Sequence, residues 1–157
     1  MTFNTPVLLL IFSANLFFAG ITATFYEALY SESLETIESA LVELDKEEPT
    51  GIVEAYKGGL LMKQAGLLKT PAEKTKSFKA GHLLLESAIK ADPTNAEYRF
   101  IRLTIQENAP EILKYNKNIE EDKGFVLEGY KNMDAKTRAY VLGYTKQSSI
   151  LSAADFE

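Results

Sequence analysis

The sequence predicts an all-α domain built of antiparallel helical hairpins. Three observations carry this prediction: helix-capping signals recur along the chain, apolar residues repeat at spacings of three and four, and no segment alternates with period two for long enough to make a strand. The 157 residues are 46% apolar, which fits a single domain with a buried core.

The N-terminal stretch stands apart. Pro6 to Ala23 holds no charged residue. Val7 to Phe18 fits the apolar core of a secretory signal peptide, and Gly20 to Ala23 supplies the small residues that cleavage needs. Cleavage after Ala23 is expected. This gives a signal peptide over 1–23, one helical domain over 24–150 and a flexible tail over 151–157. The alternative is an uncleaved anchor, because the apolar run is nearly long enough to span a bilayer and MTFNT carries no Lys or Arg. The expected location is therefore outside the cytoplasm, periplasmic or secreted, with inner-membrane anchoring as the alternative.

Thr24 to Glu27 reads as a capping box that opens the first helix of the mature domain. Tyr26, Leu29, Tyr30, Leu34, Ile37, Leu41 and Leu44 share one side of it, with Glu32, Glu35, Glu38 and Glu43 mostly on the other. The pattern predicts a single amphipathic helix packed on one side of the domain. The next helix, about Gly51 to Leu68, spreads its apolar residues over a wide arc and carries Gly58, Gly59 and Gly66. Each glycine costs ~1 kcal/mol against alanine in a helix. Close approach of neighbouring helices is the reason to keep them, so this helix is expected to be the most central.

Thr70-Pro71-Ala72-Glu73 combines a capping box with proline at the first helical position. The stripe that follows is Phe78, Gly81, His82, Leu85, Ala88 and Ile89. The helix should stop at Asp92-Pro93, since the residue before proline avoids the helical region. A second capping box, Thr94 to Glu97, is expected to start the next helix, which carries Tyr98, Ile101 and Ile105 and ends at Ala109-Pro110. Glu111 to Tyr115 makes a short turn. A further helix over Ile119 to Tyr130 turns Ile119, Val126, Leu127 and Tyr130 inward. Asp134 caps the last helix, with Val141 and Tyr144 on its face. The tail from Ser148 is small and polar and is expected to fray.

Gly81-x3-Leu85-x2-Ala88-Ile89-x3-Pro93 resembles the second helix of a tetratricopeptide (TPR) repeat, and Tyr56-x-Gly58 resembles the first. The loop through Lys69 to Thr75 is longer than in that family, and the helix after Asn95 lacks its tryptophan and leucine-glycine pair. A TPR-like array and an irregular helical bundle both follow from these residues. The segments AYKGGLLMKQAG, KTKSFKAGHLLLESAI and NAEYRFIRLTIQENAP resemble uncharacterised exported TPR-like proteins of Bacteroidota. That resemblance implies an extracytoplasmic helical domain and supplies no activity.

A formal charge of −5 argues against nucleic acid, whose phosphates want a basic face. With no cysteine and one histidine, disulfides, a thiol nucleophile and a zinc site are excluded. The sequence contains no phosphate loop, no Gly-x-Ser-x-Gly and no His-Glu-x-x-His, so no cofactor is predicted and a non-enzymatic role is expected. The remaining leads are side chains. His82 sits on its helix stripe with Glu86 four residues on, where a partly buried structural histidine is the plain reading and a general base the sharper one. Arg99 and Arg102 are two of three arginines. Either they meet an acid such as Glu86 across the hairpin, or they clamp a ligand carboxylate in a groove. Tyr98 joins them as a candidate for an aromatic-lined surface. The acidic run Glu120-Glu121-Asp122 reads as a solvated helix end. The function expected is a protein or peptide interaction module, against a helical enzyme or small-ligand carrier using Arg99, Arg102 and His82.

Overall fold

The computed structural model describes residues 20–157, and in them every regular element is helical. The helices are α1 (residues 20–29), α2 (Leu34–Leu44), α3 (Gly51–Leu67), α4 (Pro71–Ala91), α5 (Ala96–Asn108), α6 (Ile119–Gly129) and α7 (Ala135–Tyr144). Short 3-10 turns at Glu111–Leu113, Tyr130–Asn132 and Ala153–Phe156 complete them. The expected signal sequence lies mostly outside the described residues. No helix among the described residues is long and apolar enough to cross a membrane.

Caps set most of the boundaries. Ser33, Thr50, Thr70, Asn95 and Asp134 each accept a backbone N–H of the first turn that would otherwise lack a partner. Thr70 and Glu73 close the reciprocal capping box, with Pro71 at the first helical position. Two expected caps differ. Asn95 rather than Thr94 starts α5, because Glu97 is turned into the core instead of back to the cap. Thr24 lies within α1, where its hydroxyl donates to the Gly20 carbonyl. The single first helix is also two: the chain breaks at Tyr30–Ser33, and Ser33 re-caps it as α2. Tyr26 on one side of the break and Ile37 and Leu44 on the other are all buried.

α3 and α4 form the tightest pair, and glycine explains it. A Cβ on Gly81 would lie 2.5 Å from the Gly58 carbonyl oxygen, and one on Gly58 would lie 2.8 Å from the Leu85 nitrogen. On another side of α3, a Cβ on Gly59 would meet Ile101 of α5 at 2.7 Å. Gly58 and Gly59 are thus close-approach residues within the helix. Gly66 is not, since its missing Cβ would meet nothing within 4 Å. α3 touches α2, α4 and α5. It shares the centre with α5, whose residues from Tyr98 to Gln106 are all buried. α1 closes the bundle from above: Phe25 stacks on Tyr56 with ring centres 4.0 Å apart, and Tyr26 stacks on Tyr140 at 4.5 Å.

The tail is pinned rather than frayed. Leu151 is buried, Phe156 packs on Tyr130, and Lys123 bonds the Ile150 carbonyl at 2.8 Å. Glu107 accepts hydrogen bonds from the Ser148 hydroxyl and from the Ser149 backbone and hydroxyl. These serines look like a loose polar end in sequence, yet they serve as donors to one carboxylate of α5.

Candidate functional site

The arginines of α5 are one turn apart and both are almost fully withdrawn from water. They converge on Asp122 in the first turn of α6, which is 0% exposed. Arg102 grips it side-on, Nε to Oδ2 at 2.7 Å and Nη2 to Oδ1 at 2.6 Å. Arg99 Nη1 adds a bond to Oδ1 at 3.0 Å, and Gln106 Nε2 one to Oδ2 at 2.6 Å. Asp122 therefore accepts four side-chain hydrogen bonds. Two more guanidinium nitrogens have partners in the chain. Arg102 Nη1 reaches Glu86 of α4 at 2.9 Å, and Arg99 Nε donates to the Pro93 carbonyl at 2.9 Å. The Arg99 guanidinium lies 4.3 Å from the centre of the Phe125 ring.

One charge cluster thus ties α4, α5 and α6 together. The loop before α6 joins it: Tyr115 donates to Glu86 at 2.7 Å, and the Asn118 amide donates to Gln106. Burial works to lower the Arg102 pKa. The hydrogen bonds and charge of Asp122, then the charge of Glu86, outweigh burial and hold the guanidinium well above its ordinary range. Burial and the neighbouring Glu86 push the Tyr115 hydroxyl far up in turn. No buried side-chain nitrogen or oxygen among the described residues lacks a partner. The cluster spends most of its guanidinium donors on acceptors of this chain.

The structure brings Arg102 and Glu86 together across the hairpin, as one of the two sequence readings has it. The other reading needs the arginines open to a groove, and their carboxylate is instead Asp122 of the same chain. Asp122 is not the solvated residue expected of Glu120-Glu121-Asp122. Asp122 and Val126, four residues apart, share the buried side of α6, and that spacing is the signal in the sequence that marks it. His82 is exposed, not partly buried. Its neighbours are the rings of Phe78 and Tyr115, centred 6.4 and 5.3 Å away, while Glu86 is engaged by Arg102 and Tyr115. Without an oriented acid His82 lacks the geometry of a general base. Tyr98 stands apart from this group, with its hydroxyl over Gly51 at the start of α3.

A second inward-turned carboxylate, partly buried, lies on α5. Glu97 Oε1 accepts from Tyr56 at 2.7 Å, Tyr26 at 3.0 Å and Thr137 at 3.4 Å. Burial raises its pKa, the Tyr56 and Tyr26 hydrogen bonds oppose that, and the nearby Asp134 charge adds to it; the net direction is upward. Tyr56 also bonds Thr22, so α1 is tied to this network two residues into its described length.

An open concavity lies elsewhere. A groove of about 710 Å³ runs between the C-terminal half of α3, the N-terminal half of α4 and the C-terminal end of α5, with the Glu111–Leu113 turn as its lip. Met62, Leu67, Phe78 and Ile105 line it, and Tyr30 and Tyr144 close one end. Ile112 and Leu113 on the lip are 88% and 46% exposed. Large apolar side chains on a three-residue turn are the clue in sequence to this surface. Lys63, Lys74 and Lys79 stand along the walls with Glu32. Sequence reasoning centred on Arg99, Arg102 and His82 pointed at none of these residues. No group of histidine and carboxylate side chains among the described residues is arranged to hold a metal ion.

No known protein family matches the chain, and neither a curated protein nor a solved structure does. What the fold and its surfaces define, among the described residues, is a helical bundle with an internally paired charge cluster and an apolar groove.

Proposed function

We propose that the chain is an exported, non-catalytic interaction module that holds a protein partner in the groove between α3, α4 and α5. The carrying observation is the pair Ile112 and Leu113, large apolar residues held in water at the lip of an apolar concavity. Exposed apolar patches of this kind mark interaction surfaces. The internal use of Arg99 and Arg102 supports the same reading, because it removes the side chains on which a carrier or enzyme at that place would depend. The groove holds no His, and its acid, Glu32, is paired with Lys63 at 2.5 Å.

The test is affinity capture from cell-envelope extract, with the full chain and with Ile112→Asp/Leu113→Asp as bait. Both positions are exposed, so the variant keeps the core. A defined protein retained by the first bait and lost from the second is the expected result. Equal retention by both baits, or none by either, would count against the proposal.

A further inference from the structure

We infer that the occupant of this groove is an amphipathic helix with carboxylates along one flank; the inference rests on the groove being a protein-binding surface. Two structural facts narrow the partner. The described residues offer no sheet edge, so an extended strand would leave its backbone bonds unmet, whereas a helix satisfies its own and needs only an apolar trough. The exposed lip at Ile112 and Leu113 extends the apolar surface beyond the cavity, so the cover must be larger than a small amphiphile seated inside.

Charge sets the flank. The chain carries a net −5, yet three lysines and a single glutamate stand along this groove. Glu32 neutralises Lys63 on the α3 wall. Lys74 and Lys79, both on α4 and both exposed, are in no ion pair among the described residues. The positive charge left over therefore lies along one wall. A helix that lays an apolar stripe on Met62, Phe78 and Ile105 meets that wall with one edge only. Acidic residues belong on that edge, where like charge would be disfavoured. Residues 1–19 of this chain contain no carboxylate side chain and so lack that complement.

The experiment uses the full chain and three synthetic helical peptides with one apolar stripe and a flank of Glu, Gln or Lys, read by fluorescence anisotropy. The Glu-flanked peptide should bind about three- to tenfold tighter than the Gln-flanked one, the range that two exposed ion pairs supply. High salt should erase the difference. Lys74→Glu/Lys79→Glu should reverse the preference toward the Lys-flanked peptide, and Ile112→Asp/Leu113→Asp should abolish binding of all three. Equal affinities, or a Glu preference that survives the charge reversal, would overturn the acidic flank and leave the protein-binding groove standing. Failure of every peptide, with a captured partner still dependent on Ile112 and Leu113, would overturn the helical occupant alone. Saturable binding of dodecanoate in place of the peptides would assign the groove to a small amphiphile. Self-association abolished by Ile112→Asp/Leu113→Asp in sedimentation would assign it to a second copy. Either result overturns the proposal.

Discussion

Replacing Asp122 by Asn is the sharpest perturbation of the bundle. The side chain keeps its shape and loses its charge. In the wild-type chain Asp122 accepts four hydrogen bonds, three of them from Arg99 and Arg102, and the three residues are nearly or fully withdrawn from water. An asparagine oxygen can accept two of these at most, and its amide would point a donor at donors. Glu86 would remain as the close carboxylate of Arg102, and Arg99 would keep the part-exposed Glu121 at 3.4 Å. Removing one partner of a buried ion pair costs ~3–5 kcal/mol, and here two buried guanidiniums would keep one outer carboxylate each in place of the shared Asp122. With a urea slope of ~2 kcal/mol per molar, the midpoint should fall by about 1.5–2.5 M. Urea titration followed by far-ultraviolet circular dichroism reads this directly. The companion Arg99→Met/Arg102→Met/Asp122→Leu removes the charges together and should recover much of the loss, since an apolar replacement of a whole buried cluster is often neutral. A loss below about 1 kcal/mol in Asp122→Asn would refute the claim that this carboxylate locks α5 to α6.

Further outcomes follow from the same packing. Glu97 has a pKa raised on folding, so the folded state holds its proton more tightly; stability from this group is greatest at low pH and falls as pH rises from the ordinary glutamate range to the raised value. Glu97→Gln, whose amide oxygen still accepts from Tyr26 and Tyr56, should be as stable as wild type or more so near pH 7 and should flatten that part of a stability–pH profile. Gly81→Ala should destabilise the α3–α4 pair by more than ~2 kcal/mol through the clash with the Gly58 carbonyl, while Gly66→Ala, with open space around it, should gain up to ~1 kcal/mol; denaturant melts of the two variants should move in opposite directions. Glu107→Ala should free the tail, and amide exchange at Ser149 to Leu151 should quicken while α3 stays protected.

The helices and most of their ends are legible because the signals are local. Thr70-Pro71-Glu73 and Asp134 act within one turn of themselves, and Gly58 and Gly59 declare a close neighbour through the penalty they impose on their own helix. The break at Tyr30–Ser33 is harder, because the apolar stripe of α1 and α2 runs through it in phase; only the tertiary positions of Tyr26 and Ile37 require two helices. Asp122 is hidden for a related reason. An acidic triplet in a first turn suits the helix dipole with or without burial, and its true role depends on two arginines twenty or more residues away. Glu97 is misread likewise, since a glutamate three residues past a threonine imitates a capping box. The groove is assembled from five separate stretches of chain, so no one segment announces it. Only Ile112 and Leu113, apolar in a turn that buries neither, hint at it in sequence.

Site-specific photocrosslinking in living cells tests directly whether the groove lip meets another protein. A photoreactive residue at Ile112 should yield one discrete adduct, and the same residue at Leu83, 67% exposed on α4 but outside the groove, should yield none. No adduct at Ile112, or the same adducts from both positions, would contradict that contact.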